Sequence, residues 1–497
     1  MNISDFFEDK ELTNGQSELV EELQQFLIDK SCSVFLLKGS AGVGKTFLTK
    51  GLTDYLKAKQ QQFVLMAPTG KAAKVIANKT NKEAQTIHRV IYSYFDRDEK
   101  GTDSELSDEP PKVGSKIKDN KDSPETIYII DEASMLSNRF NKSEACSFGT
   151  GYLLNDLFDY INLDKGNKKV IFIGDNAQLP PVRDSFSPAL NVDYLNEHFQ
   201  VNCRSFELTE VVRQKLSSGV IANANRLRCA LASNDFEDLS FDVSADDVQA
   251  LSYEEIQKQY LSLCKNKVEL TSYSVIIAYT NLQVRDYNNA IRAKLFSTGA
   301  KLQVGEKIVC VSNYQCDDNF ISNGEFGKVV RVLSNPEIRT IEAKIKTKKG
   351  RQLKLVDLCF IDVEIEFMND LGKPYVIKTK ILSNLLYDAS PRLNHIEYSA
   401  LYFDFLQRNS HLKGRKNRAK YKEAIASDPY LNVMQVKFGY AITCHKSQGS
   451  EWENVFVDTY FANPKSEAYF RWLYTAITRT SKNLYINKNL NFGCTLP

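Results

Sequence analysis

A glycine-rich segment at residues 39–46, GSAGVGKT, combines the residue types that bind nucleotide phosphates. It has the spacing Gly-x-x-x-x-Gly-Lys-Ser/Thr, follows the apolar run 33–38 and precedes a helical pattern, which is the context this motif requires. Its glycines let backbone N–H groups converge on phosphate oxygens, and the helix N-terminus adds a favourable dipole. We expect Lys45 to hold the β- and γ-phosphates and the Thr46 hydroxyl to bind Mg²⁺.

An acidic pair follows a second apolar run, TIYII at 126–130. Asp131 can hold Mg²⁺ through water, and Glu132 can orient and deprotonate the water that attacks the terminal phosphate. Such a pair can also simply cap the next helix. Because the phosphate loop is present in the same chain, nucleotide hydrolysis is the favoured interpretation. These two motifs indicate an NTPase and leave its type open.

Further polar motifs indicate which type of NTPase this is. Gln178 in GDNAQLPPV follows another apolar run, where its amide could sense the γ-phosphate. The other motifs are TNGQ (13–16), APTGKAA (67–73), TIH (86–88), GYAITCHKSQGSEW (439–452) and LYTAITRTSKNL (473–484). In order and wording the set resembles superfamily 1 helicases, most closely the RecD/Dda branch. The resemblance covers residues 12–484 and is weakest at 96–124 and 335–432.

The resemblance implies roles at the matching positions of a nucleotide site. Gln16 would recognise adenine, and Glu451 would contact the ribose. Arg213, in LTEVVRQ, and Arg479, in TAITRT, would act as arginine fingers that stabilise the transition state. Each arginine has a simpler alternative, a surface ion pair. The expected nucleotide-binding set is Gln16, Gly39, Ser40, Ala41, Gly42, Val43, Gly44, Lys45, Thr46, Phe47 and Glu451.

The resemblance also implies contacts to a nucleic-acid strand, where hydroxyls, amides and cations can meet phosphates. The expected contact residues are Pro68, Thr69, Lys71, His88, Thr443, His445 and Lys446. His88 has an alternative as a packed core histidine. The basic stretch 413–422, KGRKNRAKYK, either contacts the displaced strand or duplex or is a solvated helix face. The family points to DNA, whereas the residues by themselves do not exclude RNA.

The elements that must position these residues are visible as apolar runs that each stop at polar residues. The runs at 33–38, 63–68, 126–132 and 169–175 are typical of buried parallel strands, whose C-terminal ends carry function. A second strand-helix unit begins near Glu207. Between about 302 and 432 short β-rich segments joined by turns predict a small barrel-like module. The segment 96–124 is so polar that we expect a mobile loop or an exposed hairpin.

We therefore expect an α/β protein with two RecA-like P-loop motor domains, the second carrying a small SH3-like β-barrel and a helical insertion. The first motor domain spans 1–205, with a polar insertion at 89–125. The second spans 206–301 and 433–497, and the barrel-like insertion spans 302–432.

Bulk composition is compatible with this expectation without demanding it. The formal net charge is +2, so a polyanion partner requires locally concentrated positive charge, and a cytosolic metabolic enzyme is equally compatible. Ten cysteines without a C-x-x-C pair indicate reduced thiols in an intracellular protein and argue against a zinc site. We see no signal peptide and no apolar stretch of about 18–20 residues, so we expect no membrane span and a cytoplasmic protein in a bacterial or phage-like context.

The expected function is an ATP- and Mg²⁺-dependent 5′→3′ translocase or helicase that acts on single-stranded DNA and forked duplex. The polarity rests on the resemblance. The alternatives are a nucleic-acid clamp switched by ATP and a helicase subunit of a nuclease complex. Relatives carry a strand-separating hairpin at the place of 96–124. In this chain the segment is so rich in polar residues that translocation is better supported than duplex separation. Protein partners and pathway stay open.

Overall fold

The computed structural model describes the chain except for residues 8–11, 97–112, 141–145, 211–217, 238, 240, 266–267, 297–300, 317–318, 348–349, 370–372, 413–416 and 489–497. The α-helices are α1 (Asn14–Ile28), α2 (Lys45–Ala58), α3 (Gly70–Thr80), α4 (Ile87–Ile91), α5 (Leu153–Ile161), α6 (Val192–Phe199), α7 (Gly219–Ser233), α8 (Tyr253–Leu263), α9 (Asn281–Leu295), α10 (Ser383–Tyr387), α11 (His395–Arg408), α12 (Arg418–Ser427), α13 (Cys444–Ser447) and α14 (Glu467–Ile477).

The strands are β1 (Val34–Gly39), β2 (Phe63–Ala67), β3 (Ala84–Thr86), β4 (Tyr92–Asp96), β5 (Val113–Ile117), β6 (Ile127–Ile130), β7 (Cys146–Phe148), β8 (Lys169–Gly174), β9 (Cys203–Leu208), β10 (Val248–Leu251), β11 (Ser274–Ala278), β12 (Lys307–Cys310), β13 (Tyr314–Cys316), β14 (Asn319–Ile321), β15 (Phe326–Val332), β16 (Glu337–Thr347), β17 (Gly350–Met368), β18 (Pro374–Leu382), β19 (Val436–Phe438), β20 (Ala441–Thr443), β21 (Trp452–Val457) and β22 (Thr480–Asn487).

A parallel sheet of order β3-β2-β6-β8-β1-β9, with the helices packed on it, forms the first lobe. The predicted apolar runs are confirmed as its strands, and β6 and β8 are buried along their length because both sheet faces are covered. The carboxyl ends of β6, β8 and β1 lie side by side, which brings their motifs together. Strand β9 pairs with β1 as far as Leu208, so the first sheet extends beyond residue 205, where we had placed the boundary.

A second parallel sheet of order β10-β22-β21-β11-β20, with its helices, forms the second lobe. Helix α9 follows β11 as predicted and begins with a capping box, in which Thr280 and Gln283 satisfy each other's backbone N–H groups. Its strands come from 248–278 and 441–487, so the intervening segment is an excursion from this lobe.

An antiparallel sheet of order β16-β17-β15-β12-β19, with β18 on β17, forms the insertion sheet. Its closure into an SH3-like barrel stays a prediction. The apolar run 436–443 does not form one strand, because the chain turns at Gly439: β19 joins the insertion sheet and β20 joins the second lobe. A Cβ at Gly439 would lie 3.1 Å from the Phe326 ring, so the absence of a side chain here lets the chain pass close to Phe326.

The polar segment 96–124 contains part of a hairpin in the residues that the structure describes. Strand β4 pairs antiparallel with β5, and β5 pairs in parallel with β7. Much of the segment lies outside the described residues, as do positions 413–416 of the basic stretch; the rest of that stretch leads into α12. Within the described residues, no helix is both long and apolar enough to cross a membrane.

Candidate nucleotide and nucleic-acid clefts

The glycine-rich loop lies between the buried strand β1 and helix α2. Gly42 and Gly44 have φ values of 83° and 89°, in the left-handed region that favours glycine. Gly44 is the N-cap of α2 and supplies no side-chain acceptor to its first turn. The amides at the start of α2 are therefore available to an anion, as a phosphate-binding loop requires. The ring of Phe47 packs against Phe7 at 5.0 Å, so it contributes to the core of the lobe.

Gln16 braces the same loop from helix α1. Its Nε2 donates to the Val43 carbonyl at 3.0 Å, and its Oε1 accepts from the Thr13 N–H at 3.2 Å. A Cβ at Gly44 would come within 2.7 Å of the Gln16 Nε2. The structure thus places Gln16 against the phosphate loop, with its amide engaged in local contacts.

Lys45 is the first residue of α2 and its side chain folds over the loop. Its Nζ donates to the carbonyls of Gly39 at 2.7 Å and Ser40 at 2.8 Å. Burial lowers the pKa of Lys45, while nearby carboxylates, led by Asp175, oppose that shift. A phosphate oxygen would compete with these neutral carbonyls for the ammonium and would have the stronger attraction.

Asp131 and Glu132 follow β6 at the edge of the sheet beside the loop. Burial, together with the adjacent Glu132 charge, raises the pKa of Asp131 to about 7. Glu132 has a φ of 52°, in the left-handed region, which costs a non-glycine residue about 1–3 kcal/mol.

Asp175, at the end of β8, joins the lobes through a network of hydrogen bonds and an ion pair. The Tyr474 hydroxyl of α14 donates to Asp175 Oδ2 at 2.6 Å and accepts from the Ala41 N–H of the phosphate loop at 3.3 Å. Arg228 of α7 lies 3.2 Å from Asp175 Oδ1 and 2.8 Å from Glu207 Oε1. Both second-lobe side chains therefore converge on one first-lobe carboxylate next to the loop.

Gln178 is buried close to Asp175, in the region where the first lobe contacts the second. Among the described residues, its Oε1 has no hydrogen-bond partner, which leaves an acceptor to be satisfied. The next residue, Leu179, donates its N–H to Thr475 Oγ1 at 2.8 Å and accepts from Gln448 Nε2 at 3.0 Å. This motif therefore lies where the two lobes meet.

Arg479 is 5% exposed and is held by its own lobe. Its guanidinium donates to the Thr475 carbonyl at 3.0 Å, the Ser450 carbonyl at 3.4 Å and the Thr478 hydroxyl at 3.2 Å. Its positive charge contributes to the lowered pKa of both Lys45 and Lys71, so it lies within electrostatic range of both cations. This burial disfavours a surface ion pair for Arg479. Arg213 lies outside the described residues.

The phosphate-loop cleft, about 510 Å³ and open to solvent, lies between the lobes. The first lobe contributes residues 40–42, and the second contributes helix α7, Glu451, Tyr474 and Thr478. Glu451 Oε2 lies 3.8 Å from Lys79 Nζ of the first lobe. The cleft thus brings together the predicted loop and Glu451. The charges of Asp131 and Arg479 act on Lys45, which follows the loop residues that line the cleft.

A second opening, the basic cleft, measures about 710 Å³ and also spans the lobes. Its lining residues are Thr69, Lys71, Met135, Pro181 and Val182 of the first lobe, His445, Lys446 and Gln448 of the second, and Asn323 and Gly324 of the insertion sheet. It therefore brings together four of the seven predicted strand contacts. Burial lowers the pKa of Lys446 to about 8 and that of Lys71 to about 7, as expected for cations in a confined site.

The other predicted contacts do not line this cleft. Pro68 directly follows β2, and Thr443 is the N-cap of α13, so both lie one to three residues from lining residues. His88 lies 4.9 Å from the Phe148 ring, edge to face, and 5.6 Å from the Tyr92 ring. Burial lowers the pKa of His88 to about 4. These contacts favour the packed-histidine interpretation.

Comparison with known proteins agrees with this geometry. Residues 11–241 match a family model described as an AAA domain, and residues 438–487 match one described as a UvrD-like helicase C-terminal domain. The chain is 26% identical over 386 residues to the ATP-dependent DNA helicase dda of Enterobacteria phage T4, covering 75% of this chain and 78% of that protein. It is 24% identical over 491 residues to the ATP-dependent DNA helicase Pif1 of Campylobacter jejuni, covering 92% and 90%.

The chain is a superfamily 1 helicase of the Pif1/RecD/Dda-like group. A crystal structure of Bacteroides Pif1 bound to single-stranded DNA is similar over 96% of this chain and 92% of that one, at 15% identity and a TM-score of 0.46. The parallel sheets of this helicase are its RecA-like lobes.

Sequence reasoning missed two residues that line the helicase's phosphate-loop cleft, Tyr474 and Arg228, and the carboxylate that both contact, Asp175. Asp175 and Tyr474 lie inside motifs that we had quoted, GDNAQLPPV and LYTAITRTSKNL, so motif membership was a usable signal. Arg228 lies on a helix without a motif, and only the structure identifies it, through its place in the cleft lining and its contact with Asp175.

Proposed function

We propose that this helicase couples ATP hydrolysis to 5′→3′ movement along single-stranded DNA and separates duplex DNA ahead of it. The arrangement of the two clefts is the observation that carries the proposal, because each is lined by both lobes. Any change in the separation of the lobes must alter both clefts together. Hydrolysis in one cleft can therefore change the grip in the other.

In the phosphate-loop cleft, the loop amides and Lys45 bind the ATP phosphates, and Glu132 accepts a proton from the attacking water. The Thr46 hydroxyl and the Asp131 carboxylate are oxygen donors of the kind that Mg²⁺ prefers, and a cation would favour the ionised form of the buried Asp131. Bound Mg²⁺ would neutralise charge on the transferred phosphoryl group. Arg479, together with Arg213, would add positive charge as the lobes close.

In the basic cleft, Thr69 and Lys71 of the first lobe and His445 and Lys446 of the second would hold successive phosphates of one strand. Such contacts carry no base information, which suits movement along any sequence. Alternating grip by the two lobes during closure and opening would give directed steps. The 5′→3′ direction rests on the resemblance to the RecD/Dda branch and on no residue contact.

Strand displacement tests this proposal directly. The purified chain should separate a duplex with a 5′ single-stranded tail in the presence of ATP and Mg²⁺, and should leave a 3′-tailed or blunt duplex intact. Lys45→Ala and a non-hydrolysable ATP analogue are the controls for coupling. Separation of only the 3′-tailed duplex would contradict the polarity. ATP-dependent binding without displacement of any substrate would favour the clamp.

A further inference from the structure

Helix α3 of the first lobe touches both clefts, because it lies against residues 449–452 of the second lobe. The N-terminal end of α3 carries Lys71, which lines the basic cleft. Farther along, a Cβ at Gly449 would lie 3.1 Å from the Ala72 Cβ, so the two chains approach closely. At the C-terminal end, Lys79 lies 3.8 Å from Glu451, which lines the phosphate-loop cleft.

The ammonium of Lys71 is held between two aromatic rings from other parts of the molecule. Its Nζ lies 4.5 Å from the ring centroid of Phe326, on the insertion sheet, and 4.5 Å from that of Trp452, in the second lobe. The two rings meet edge to face, with centroids 6.1 Å apart at 85°. Cations are attracted to ring faces, and the attraction is greatest when water is excluded. We call these three side chains the Lys71 clamp.

Other charged groups near the clamp make it a weak site for the Lys71 ammonium. Lys307 lies 5.0 Å from the Phe326 ring, and its charge opposes that of Lys71. Burial and the charges of Lys307 and Arg479 lower the pKa of Lys71 to about 7, while the Glu325 charge opposes that shift. A phosphate anion in the adjoining cleft would attract the ammonium more strongly than neutral rings do.

Trp452 connects this clamp to Arg479. Its backbone N–H donates to the Arg479 carbonyl at 2.9 Å, and the Ser450 carbonyl accepts from the Arg479 guanidinium at 3.4 Å. Glu451, between them, lines the phosphate-loop cleft. Residues 450–452 thus supply a carbonyl that accepts from the predicted arginine finger, a carboxylate that lines the phosphate-loop cleft and a ring that contacts Lys71.

We propose that Lys71 is a positioning residue: a strand phosphate draws its ammonium out of the clamp, and the resulting shift of Trp452 repositions Arg479 for hydrolysis. The inference deepens the proposed function and rests on it. Lys71 then serves both as a strand contact and as the sensor that reports strand occupancy to the phosphate-loop cleft. Replacing Lys71 should lower DNA-stimulated ATPase even when DNA is saturating, in addition to any loss of DNA affinity.

Trp452 is itself a probe, because the chain has two tryptophans, Trp452 and Trp472. In a Trp472→Phe parent, saturating oligothymidylate should change the emission of Trp452. Adding Lys71→Met, which keeps the length of the side chain without its charge, should abolish that change. Lys446→Met is the matched control, since it removes a cation of the same cleft that is outside the clamp. It should weaken binding yet keep the full emission change at saturation.

ATPase assays at saturating oligothymidylate complete the test. Trp452→Leu should lose about tenfold in stimulated turnover with oligonucleotide affinity within about threefold, whereas Trp452→Phe, which keeps a ring, should retain most of it. Stimulation that is intact in both Lys71→Met and Trp452→Leu at saturation would overturn the coupling. A parent enzyme with no oligonucleotide-stimulated ATPase would instead overturn the proposed function. Thermal melting of each variant verifies folding, and Lys71→Arg should restore part of the stimulation.

Discussion

Lys45 and Glu132 have separable roles at the scale of single residues, because one contacts phosphate and the other water. Lys45→Ala should abolish ATP turnover by removing the cation beside the loop. Glu132→Gln should still bind ATP but lose about 10²-fold or more in rate, as expected when a general base is removed. The measurements are nucleotide affinity and ATPase with single-stranded DNA. Parental turnover by Glu132→Gln would show that another group is the base.

Asp131 should make Mg²⁺ binding depend on pH. Its pKa is raised to about 7 by burial and by the Glu132 charge, so below that pH a proton competes with the metal for the carboxylate. The Mg²⁺ concentration for half-maximal ATPase should therefore fall as pH rises toward 7, by up to about tenfold per pH unit. Asp131→Asn should need more Mg²⁺ and should lose this dependence. An equal slope in the variant would assign the titration elsewhere.

Tyr474 should matter through its hydroxyl alone. Tyr474→Phe removes the donor to Asp175 and the acceptor for the Ala41 N–H while keeping the buried ring. A hydrogen bond to a charged group contributes about 1.5–3 kcal/mol, so kcat should fall about tenfold or more with little change in KM. Tyr469→Phe is the matched control on α14, because its hydroxyl donates to the Thr459 carbonyl away from the cleft. A similar loss in both variants would indicate a packing effect.

A deletion in the β4–β5 hairpin tests whether this element takes part in strand separation. Deleting 98–111 while keeping both strands should reduce duplex displacement more than DNA-stimulated ATPase. A longer deletion, to residue 122, would also remove β5 and the Asn120 amide, which donates to the Tyr128 hydroxyl at 2.8 Å and the Tyr160 carbonyl at 2.9 Å. That variant would confuse folding with function. Equal loss of displacement and ATPase in the shorter deletion would show that the hairpin supports the fold.

At the scale of the whole molecule, closure of the lobes should bring Arg479 to the phosphates held by the first lobe. Arg479→Ala should remove most DNA stimulation of the ATPase while largely sparing DNA affinity, because Arg479 is not among the described residues that line the basic cleft and its charge is expected to act on the ATP phosphates. Arg226→Ala, at an exposed cation of the same lobe, is the control. The measurements are basal and stimulated ATPase and binding of a labelled strand. Loss of binding with intact stimulation would place Arg479 in the DNA path.

The sequence by itself determined the local features of this helicase. The phosphate loop, the acidic pair and the buried strands are encoded by contiguous residues, since a loop that binds phosphate needs its glycines and lysine at fixed spacing. Continuous apolar runs likewise identify strands that are covered on both faces. These features were sufficient for the α/β fold class and the family.

Tertiary structure decided what depends on residues far apart in the chain. The pattern at 436–443 is one apolar run, yet its two halves pair with strands of different sheets on either side of Gly439. His88 matches a motif, yet its ring packs against those of Phe148 and Tyr92. Tyr474 meets Ala41 across 433 positions, and no local periodicity encodes such a contact. The burial and the electrostatic surroundings of these residues arise only when the lobes are assembled. The two clefts could therefore not be predicted from the sequence and were seen only in the folded structure.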